Sequence, residues 1–213
     1  MWFQRLTALG PALRRGLCGV GVGLGFLVGE AAWAQTAPLP GEALAQARCA
    51  ACHGATGQSA APGFPRLAGQ NARYLVKQLQ DFGSGRRDSA IMKEKVAGLA
   101  PGQLEAIAQF YQAQKPTVTP AKDAGLAQVG SFVYERGNPH SGVPACLSCH
   151  GTGGRGTAAL PRLAGQHPQY LVRQMQAFAA KHRQNDGAIM SVIAGRLTAL
   201  ETEAVAEYLG GLQ

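Results

Sequence analysis

The sequence contains one pentapeptide pattern twice, as Cys49-Ala50-Ala51-Cys52-His53 and as Cys146-Leu147-Ser148-Cys149-His150. Both copies read C-x-x-C-H, the pattern for covalent attachment of a c-type haem. Two thiols three positions apart on one helical turn can each form a thioether with a vinyl group of the same porphyrin, and the following histidine can coordinate the iron. The repeat therefore predicts two covalently bound haem c groups. The predicted thioether residues are Cys49, Cys52, Cys146 and Cys149, and the predicted histidine ligands are His53 and His150.

Other uses of a C-x-x-C pair explain the sequence less well. A thioredoxin-like redox pair requires a βαβ context, and the chain has no strand-rich pattern. Two such pairs can bind zinc, but these lie 97 residues apart and each has its own adjacent histidine. A structural disulfide is possible in an exported protein, yet it would leave the two histidines unexplained.

Residues 1–34 read as a cleaved signal peptide, which predicts export to the periplasm. Three arginines precede an apolar run over 16–29, and Ala32-Trp33-Ala34 offers a cleavage site, so we expect the mature chain to begin near Gln35. An uncleaved membrane anchor remains the alternative, although the run is short for a span. Cleavage would remove Cys18 and leave only the four cysteines of the haem motifs.

The net charge does not indicate a nucleic-acid-binding protein. The full chain carries a formal charge of +8, and about +6 remains after removal of the leader. Basic residues do not form a run interleaved with aromatics, as nucleic-acid binding favours. Four haem propionates would also cancel much of the positive charge. We therefore expect no nucleic acid among the partners.

The chain is an internal duplication of a module of about 90 residues. Besides the haem motifs, Pro65–Gln70 repeats as Pro161–Gln166, and Ala90–Met92 repeats as Ala188–Met190. On this basis the halves align almost without gaps. The predicted organisation is a first domain at 35–115, a proline-containing linker at 116–121 and a second domain at 122–213.

The pattern of apolar residues predicts an all-α fold. We expect a helix over 41–52, a loop over 54–69, and a second helix capped by Asn71 and ending near Phe82. A third helix should run from Pro101 to about Ala113, and the last helix of the chain should begin at the capping box of Thr198. Because each module is small, much of its buried surface should come from the porphyrin, so the chain without haem should fold poorly.

Two methionines are the predicted second iron ligands. Met92 lies 39 residues after His53 and Met190 lies 40 after His150, each in a predicted loop. Histidine with methionine closes the iron to external ligands and suits electron transfer, whereas histidine alone leaves an open position. Met175 is instead expected in the core. The histidines that do not recur between modules are expected at the surface: His140, His167 and His182.

Several repeated residues are expected around the haems. A carbonyl in the loops near Pro65 and Pro161 should accept a hydrogen bond from each ligating imidazole and fix its orientation. Repeated basic side chains could pair with haem propionates or form a solvated face: Arg66, Arg162, Lys77 and Arg173. Tyr74 and Tyr170 could pack on a haem edge or donate hydrogen bonds.

The paired haem motifs, the repeated Pro-Arg-Leu-Ala-Gly-Gln and the repeated Ala-Ile-Met resemble the dihaem cytochrome c4 family over essentially the whole mature chain. The resemblance implies two tandem class I cytochrome c domains related by pseudo-twofold symmetry, with haem propionates meeting at their interface. It also implies a periplasmic monomer, free or loosely membrane-associated, that carries electrons from a quinol-oxidising complex to a terminal oxidase.

Two other functions remain open from the sequence. The chain could be the cytochrome subunit of a flavoprotein dehydrogenase such as sulfide dehydrogenase, with the flavin on a separate partner. A dihaem peroxidase would need one iron with an open position, which the matched Met92 and Met190 argue against. We therefore expect an electron carrier and not an enzyme.

Overall fold

The computed structural model describes residues 41–213, so the predicted signal peptide at 1–34 lies outside the described residues. The prediction of an all-α fold is confirmed, and the described part contains one isolated β-bridge, between Asn138 and Val143, but no strand. The first half contains α1 (Gly41–Arg48), α2 (Ala50–His53), α3 (Ala72–Ser84), α4 (Ala90–Val96) and α5 (Pro101–Gln112). The second half contains α6 (Ala124–Arg136), α7 (Leu147–His150), a 3₁₀ turn (Thr152–Gly154), α8 (Pro168–Ala179), α9 (Ile189–Ala194) and α10 (Ala199–Gly210). None of the helices in residues 41–213 combines the length and the apolar character that a membrane-spanning helix needs.

Each half has its own hydrophobic core. In the first module α5 buries the face that the sequence predicts, with Leu104, Ile107, Ala108 and Tyr111 all below 9% exposed. Ile107, Ala108 and Tyr111 pack with residues of α1 and α3. In the second module α6, α8 and α10 form the equivalent core, and Thr198 caps α10 with the predicted capping box. Burial of these apolar stripes, more than intrinsic helix propensity, holds the helices together.

A glycine at the same helix crossing defines how the two modules correspond. A Cβ on Gly41 would lie 2.1 Å from the carbonyl oxygen of Ala106, and one on Gly130 would lie 1.9 Å from that of Ala204. Only glycine therefore lets α1 cross α5, and α6 cross α10, at this distance.

The near-gapless alignment of the two halves is wrong before the haem motifs. Gly41 precedes Cys49 by eight residues, whereas Gly130 precedes Cys146 by sixteen. The additional residues of the second module form a turn after α6, closed by the Asn138–Val143 bridge. Helix register at the glycine crossing, and not distance from the haem motif, decides which residues of the two modules correspond.

The two modules pack against each other through reciprocal glutamines. The side-chain amide of Gln70 accepts from the backbone N–H of Arg162 at 2.7 Å and donates to its carbonyl at 2.8 Å. Gln166 forms the same pair with the backbone of Arg66, at 2.9 and 3.0 Å. Reciprocal contacts of this kind are what a twofold relation produces, so they agree with the expected pseudo-twofold arrangement.

The linker and the start of α3 add further contacts between the modules. Between α5 and α6 the chain has no regular helix, and Thr119 N–H donates to Gly210 O at 3.1 Å. Asn71 lies at the N-cap position of α3 as predicted, but its side chain does not cap the helix. It donates instead to the carbonyls of Thr157 and Leu160 in the second module. This contact between modules outcompetes the local cap.

Candidate haem sites

In the first module a short helix, α2, brings the elements of the haem motif together. The backbone N–H of His53 donates to Cys49 O at 3.0 Å, so both cysteines and the histidine lie on one helical turn. His53 is buried, and its Nδ1 lies 2.9 Å from Pro65 O. Burial holds the pKa of His53 below its usual value. A neutral imidazole whose Nδ1–H donates to this carbonyl keeps the Nε2 lone pair free for a metal.

The second module repeats this geometry in α7. The N–H of His150 donates to Cys146 O at 2.9 Å, and His150 Nδ1 lies 3.4 Å from Pro161 O. Burial also lowers the pKa of His150. The carbonyl contacts predicted near Pro65 and Pro161 are therefore present in both modules. One neighbour differs, because Phe64 packs edge-on against His53 while Leu160 occupies the matching position of the second repeat.

A single cavity of about 950 Å³ connects the two sites. Both histidines, both candidate methionines and three of the four motif cysteines line it, and Cys52 is the motif cysteine that does not. Most of the remaining wall is apolar and comes from both modules. It includes Leu75, Leu79, Phe82 and Ile107 of the first and Leu171, Phe178, Ile193 and Val205 of the second. A large apolar space with a few polar groups suits a flat apolar cofactor.

Two half-buried arginines could pair with the carboxylates of such a cofactor. Arg66 and Arg162 both line this cavity, and the Nε of each is buried without a hydrogen-bond partner. Burial lowers the pKa of both guanidinium groups. An unpaired buried N–H is costly, and an anionic acceptor would satisfy it. The residues present therefore fit a haem with its propionates near the module interface.

The other two predicted propionate partners already have partners in the protein. Lys77 Nζ lies 2.5 Å from the Asp81 carboxylate. Arg173 donates to the carbonyls of Pro62 and Gly63. Arg66 also has partners, since it donates to Gly165 O and to Thr119 Oγ1, both at 2.7 Å. Arg66 and Arg162 are the favoured candidates because each keeps a buried Nε without a partner.

The candidate methionines lie in short helices, so the prediction of loops is wrong for both. Met92 is in the first turn of α4, where its N–H donates to the Ser89 hydroxyl at 3.3 Å. Met190 is in the first turn of α9, where its N–H donates to the Asp186 carboxylate at 2.5 Å. Ser89 caps α4 from its N-cap position, whereas the N-cap residue of α9, Ala188, provides no side-chain cap. Both helices are too short to be recognised by periodicity. Both methionines are half-buried and line the cavity, as does Met175.

The prediction of a surface position is wrong for His167. This histidine is 5% exposed, and its Nε2 lies 2.8 Å from Ser59 O of the first module. Burial, reinforced by nearby Arg66, lowers its pKa. His140 and His182 are exposed as predicted, although His182 borders the cavity.

Two arginines that the sequence reasoning missed join the modules beside the cavity. Each guanidinium lies over a phenylalanine ring of its own module and donates to a tyrosine hydroxyl of the other and to glutamines. The partners are Phe82, Gln78, Tyr170 and Gln174 for Arg87, and Phe178, Gln174, Tyr74 and Gln78 for Arg183. Both arginines follow their phenylalanine by five residues, a repeat that could have identified them. The tyrosines act here as acceptors.

The cysteine geometry does not favour the alternatives to haem. No disulfide joins the four cysteines of the described residues. Burial raises the pKa of Cys49, and that of Cys146 to about 11, whereas redox-active thiols have a lowered pKa. Over residues 41–213 no group of three or more His, Cys, Asp or Glu side chains could hold a metal ion.

Comparison with known proteins identifies the family. The family model described as Cytochrome c matches the chain twice, over residues 39–125 and 134–213. Cytochrome c4 of Azotobacter vinelandii is 40% identical over 203 residues, covering 89% of this chain and 92% of the relative. The thiosulfate dehydrogenase electron acceptor of Thiomonas intermedia is 37% identical over 202 residues, covering 92% of this chain and 90% of the relative.

Solved structures give the same result. Reduced cytochrome c4 from Pseudomonas stutzeri superposes with a TM-score of 0.77 at 38% identity, over 81% of this chain and 97% of that one. Thiosulfate dehydrogenase from Marichromatium purpuratum superposes with a TM-score of 0.73 at 36% identity, over 81% of this chain and 40% of that one. The chain therefore belongs to the cytochrome c family, as two tandem domains of the dihaem cytochrome c4 type, and is an electron carrier with two covalently bound haem c groups.

Proposed function

We propose that this chain is exported to the periplasm and carries electrons from a quinol-oxidising respiratory complex to a terminal oxidase. The proposal includes axial ligation by His53 and Met92 in the first module and by His150 and Met190 in the second. The observation that carries it is the single cavity bordered by both histidine–methionine pairs.

The residues around this cavity support a carrier with closed irons. Haem iron supplies one-electron exchange when it is bound. His53 and His150 are held by the carbonyls of Pro65 and Pro161, which fixes each imidazole and leaves its Nε2 available. A methionine in each module would occupy the remaining position and keep small molecules away. The protein then needs only to set the reduction potentials and to present the haem edges to redox partners.

The export part of the proposal has a direct test. Residues 1–34 carry the features of a signal peptide. The chain is expressed in a Gram-negative host that attaches haem c, and the periplasmic fraction is subjected to N-terminal sequencing. We expect the haem-containing protein in that fraction, beginning at Gln35. A chain that keeps Met1 and sediments with membranes would support an uncleaved anchor and contradict the proposal.

A second candidate donor is a thiosulfate dehydrogenase. Relatives from Thiomonas intermedia and Stutzerimonas stutzeri are named as electron acceptors of that enzyme. The wider idea of a cytochrome that serves a dehydrogenase includes the flavoprotein sulfide dehydrogenase considered from the sequence. The test measures haem reduction of the purified protein by thiosulfate with thiosulfate dehydrogenase, and separately by a quinol with its oxidising complex. Faster reduction by the quinol-oxidising complex supports the respiratory role, and faster reduction by the dehydrogenase contradicts it.

A further inference from the structure

The first module contains a buried carboxylate that the second lacks. Asp81 on α3 is 1% exposed, and Ala177 occupies the matching position on α8. Its oxygens accept from Lys77 Nζ at 2.5 Å and from Arg86 Nε at 2.8 Å. They also accept from Asn185 Nδ2, in the second module, at 2.7 Å. The cost of burying this charge is thus offset partly by a residue of the other module.

Asn185 is held by three residues of the first module. Its Nδ2 lies between the Asp81 carboxylate and Gln78 Oε1, which is 3.0 Å away. Its backbone carbonyl accepts from Lys77 Nζ at 2.5 Å. Both its backbone and its side chain are therefore tied to α3.

The tied residue begins the turn that leads to Met190. Asp186, the next residue, accepts from the N–H groups of Ala188 and Met190. Gly187 and Ala188, which lie between Asp186 and Met190 in the sequence, adopt left-handed conformations with φ of 75° and 69°. Alanine rarely adopts this conformation, so contacts around the turn must hold it. We call residues 185–190 the Met190 turn.

The corresponding segment of the first module is held differently. Before Met92, Arg87 donates to Tyr170 and Gln174 of the second module. Arg183 of the second module donates in the same way to Tyr74 of the first. Ser89 then caps Met92 N–H within its own module. The Asp81–Asn185 contact therefore adds a connection in one direction only.

We propose that Asp81 is a positioning residue through which the first module holds the Met190 turn of the second. The methionine site of the second haem depends on the first module through this contact, while among residues 41–213 that of the first haem has no equivalent support. The inference rests on the proposed role of Met190 as an iron ligand only for its effect on the haem. The effect on the turn is independent of that role.

The test uses the holoprotein and four substitutions. Asp81→Ala removes the carboxylate. Asn185→Ala removes the side-chain contacts with Asp81 and Gln78, and also the hydrogen bond that Arg183 Nε donates to Asn185 Oδ1 within the second module. It keeps the backbone contact with Lys77, and it keeps Asp81 with Lys77 and Arg86. Arg86→Gln is the matched control, because this exposed side chain binds the same carboxylate within its own module. Met190→Ala gives the reference for an open second haem.

The first readout is hydrogen exchange of residues 185–193 compared with residues 88–96. Asp81→Ala and Asn185→Ala should each speed exchange in the first segment about tenfold, as expected for loss of a buried hydrogen bond to a charged group. Exchange over 88–96 should stay as in the parent, and Arg86→Gln should change neither segment. Equal acceleration of both segments, or of neither, would overturn the inference. If Asp81→Ala does not fold, Asn185→Ala decides.

The second readout is carbon monoxide bound to the reduced protein. The reduced Asp81→Ala protein should bind measurably more carbon monoxide than the parent, up to one molecule per chain. When Asp81→Ala is added to Met190→Ala, the amount of carbon monoxide bound per chain should stay the same, because both substitutions act on the same haem. Binding of two per chain by the double variant would contradict the inference. If Met190→Ala alone binds none, the ligand assignment of the proposed function fails, and hydrogen exchange alone decides the inference.

Discussion

Gly130→Ala should destabilise the second module at its central helix crossing. The added Cβ would lie 1.9 Å from Ala204 O, 2.4 Å from Ala204 C and 2.9 Å from Tyr208 Cβ. Two of these are backbone atoms, so no flexible side chain can move away. Restoring an ordinary contact of 3.4 Å requires α6 and α10 to separate by about 1.5 Å.

The expected cost follows from two opposing effects. Overpacking of a core typically costs about 1–3 kcal/mol and sometimes more, and a backbone clash belongs at the upper end. Alanine is favoured over glycine in a helix by about 1 kcal/mol. The net loss should be about 2 kcal/mol, which lowers the melting temperature of a chain of this size by roughly 4–8 °C.

Gly102→Ala is the matched control. Gly102 also lies in a helix, α5, but nothing lies within 4 Å of the position of its added Cβ. This substitution should stabilise the protein by about 0.5 kcal/mol through the unfolded state. Thermal unfolding of both holoproteins, followed by far-ultraviolet circular dichroism, measures the difference. If Gly130→Ala melted at or above the parent temperature, the close crossing of α6 and α10 would be refuted.

Three further predictions concern the interface, acid stability and the haem. Gln166→Leu removes two hydrogen bonds to the Arg66 backbone and should lower the free energy of unfolding in denaturant by about 2–3 kcal/mol. The control Gln109→Leu, at an exposed position, should lower it little. Equal effects of the two substitutions would contradict the interface. Burial lowers the folded-state pKa of His167, so its contribution to stability is complete above the unfolded pKa of about 6.5 and declines as the pH falls below it. His167→Asn, which copies Asn71 of the first module, should reduce the loss of stability between about pH 7.5 and pH 5, and an unchanged loss would exclude His167 as its source. Replacing Cys146 and Cys149 together by alanine should leave one haem per chain. The second module should then be partly unfolded, with a weaker helical circular dichroism signal, because the apolar cavity would lack the second porphyrin. Full helicity would contradict this prediction.

Local patterns predicted the longer helices but not the short helices of Met92 and Met190, and contacts distant in sequence escaped prediction. The haem motifs and the buried face of α5, from Leu104 to Tyr111, follow from spacing alone. The burial of His167 depends on Ser59, more than 100 residues away, and no local pattern carries that information. No local pattern predicts the contacts of Asn71 either, because its side chain donates to carbonyls of the second module and does not cap α3.

The correspondence of the modules failed for a different reason. Sequence identity around the haem motifs is strong, but α1 and α6 share little beyond the crossing glycine. The position of Gly130 reveals its role only when the carbonyl of Ala204 is seen beside it. The two methionine helices have seven and six residues, which is too short for apolar periodicity to predict them.

The measurement that tests the central claim most directly is the visible spectrum of the reduced mature protein with and without carbon monoxide, together with a haem c count per chain. Two haems per chain and an unchanged spectrum are the predicted result, because His53 with Met92 and His150 with Met190 would close both irons. Two haems with one responding to carbon monoxide would show an open iron and contradict the account.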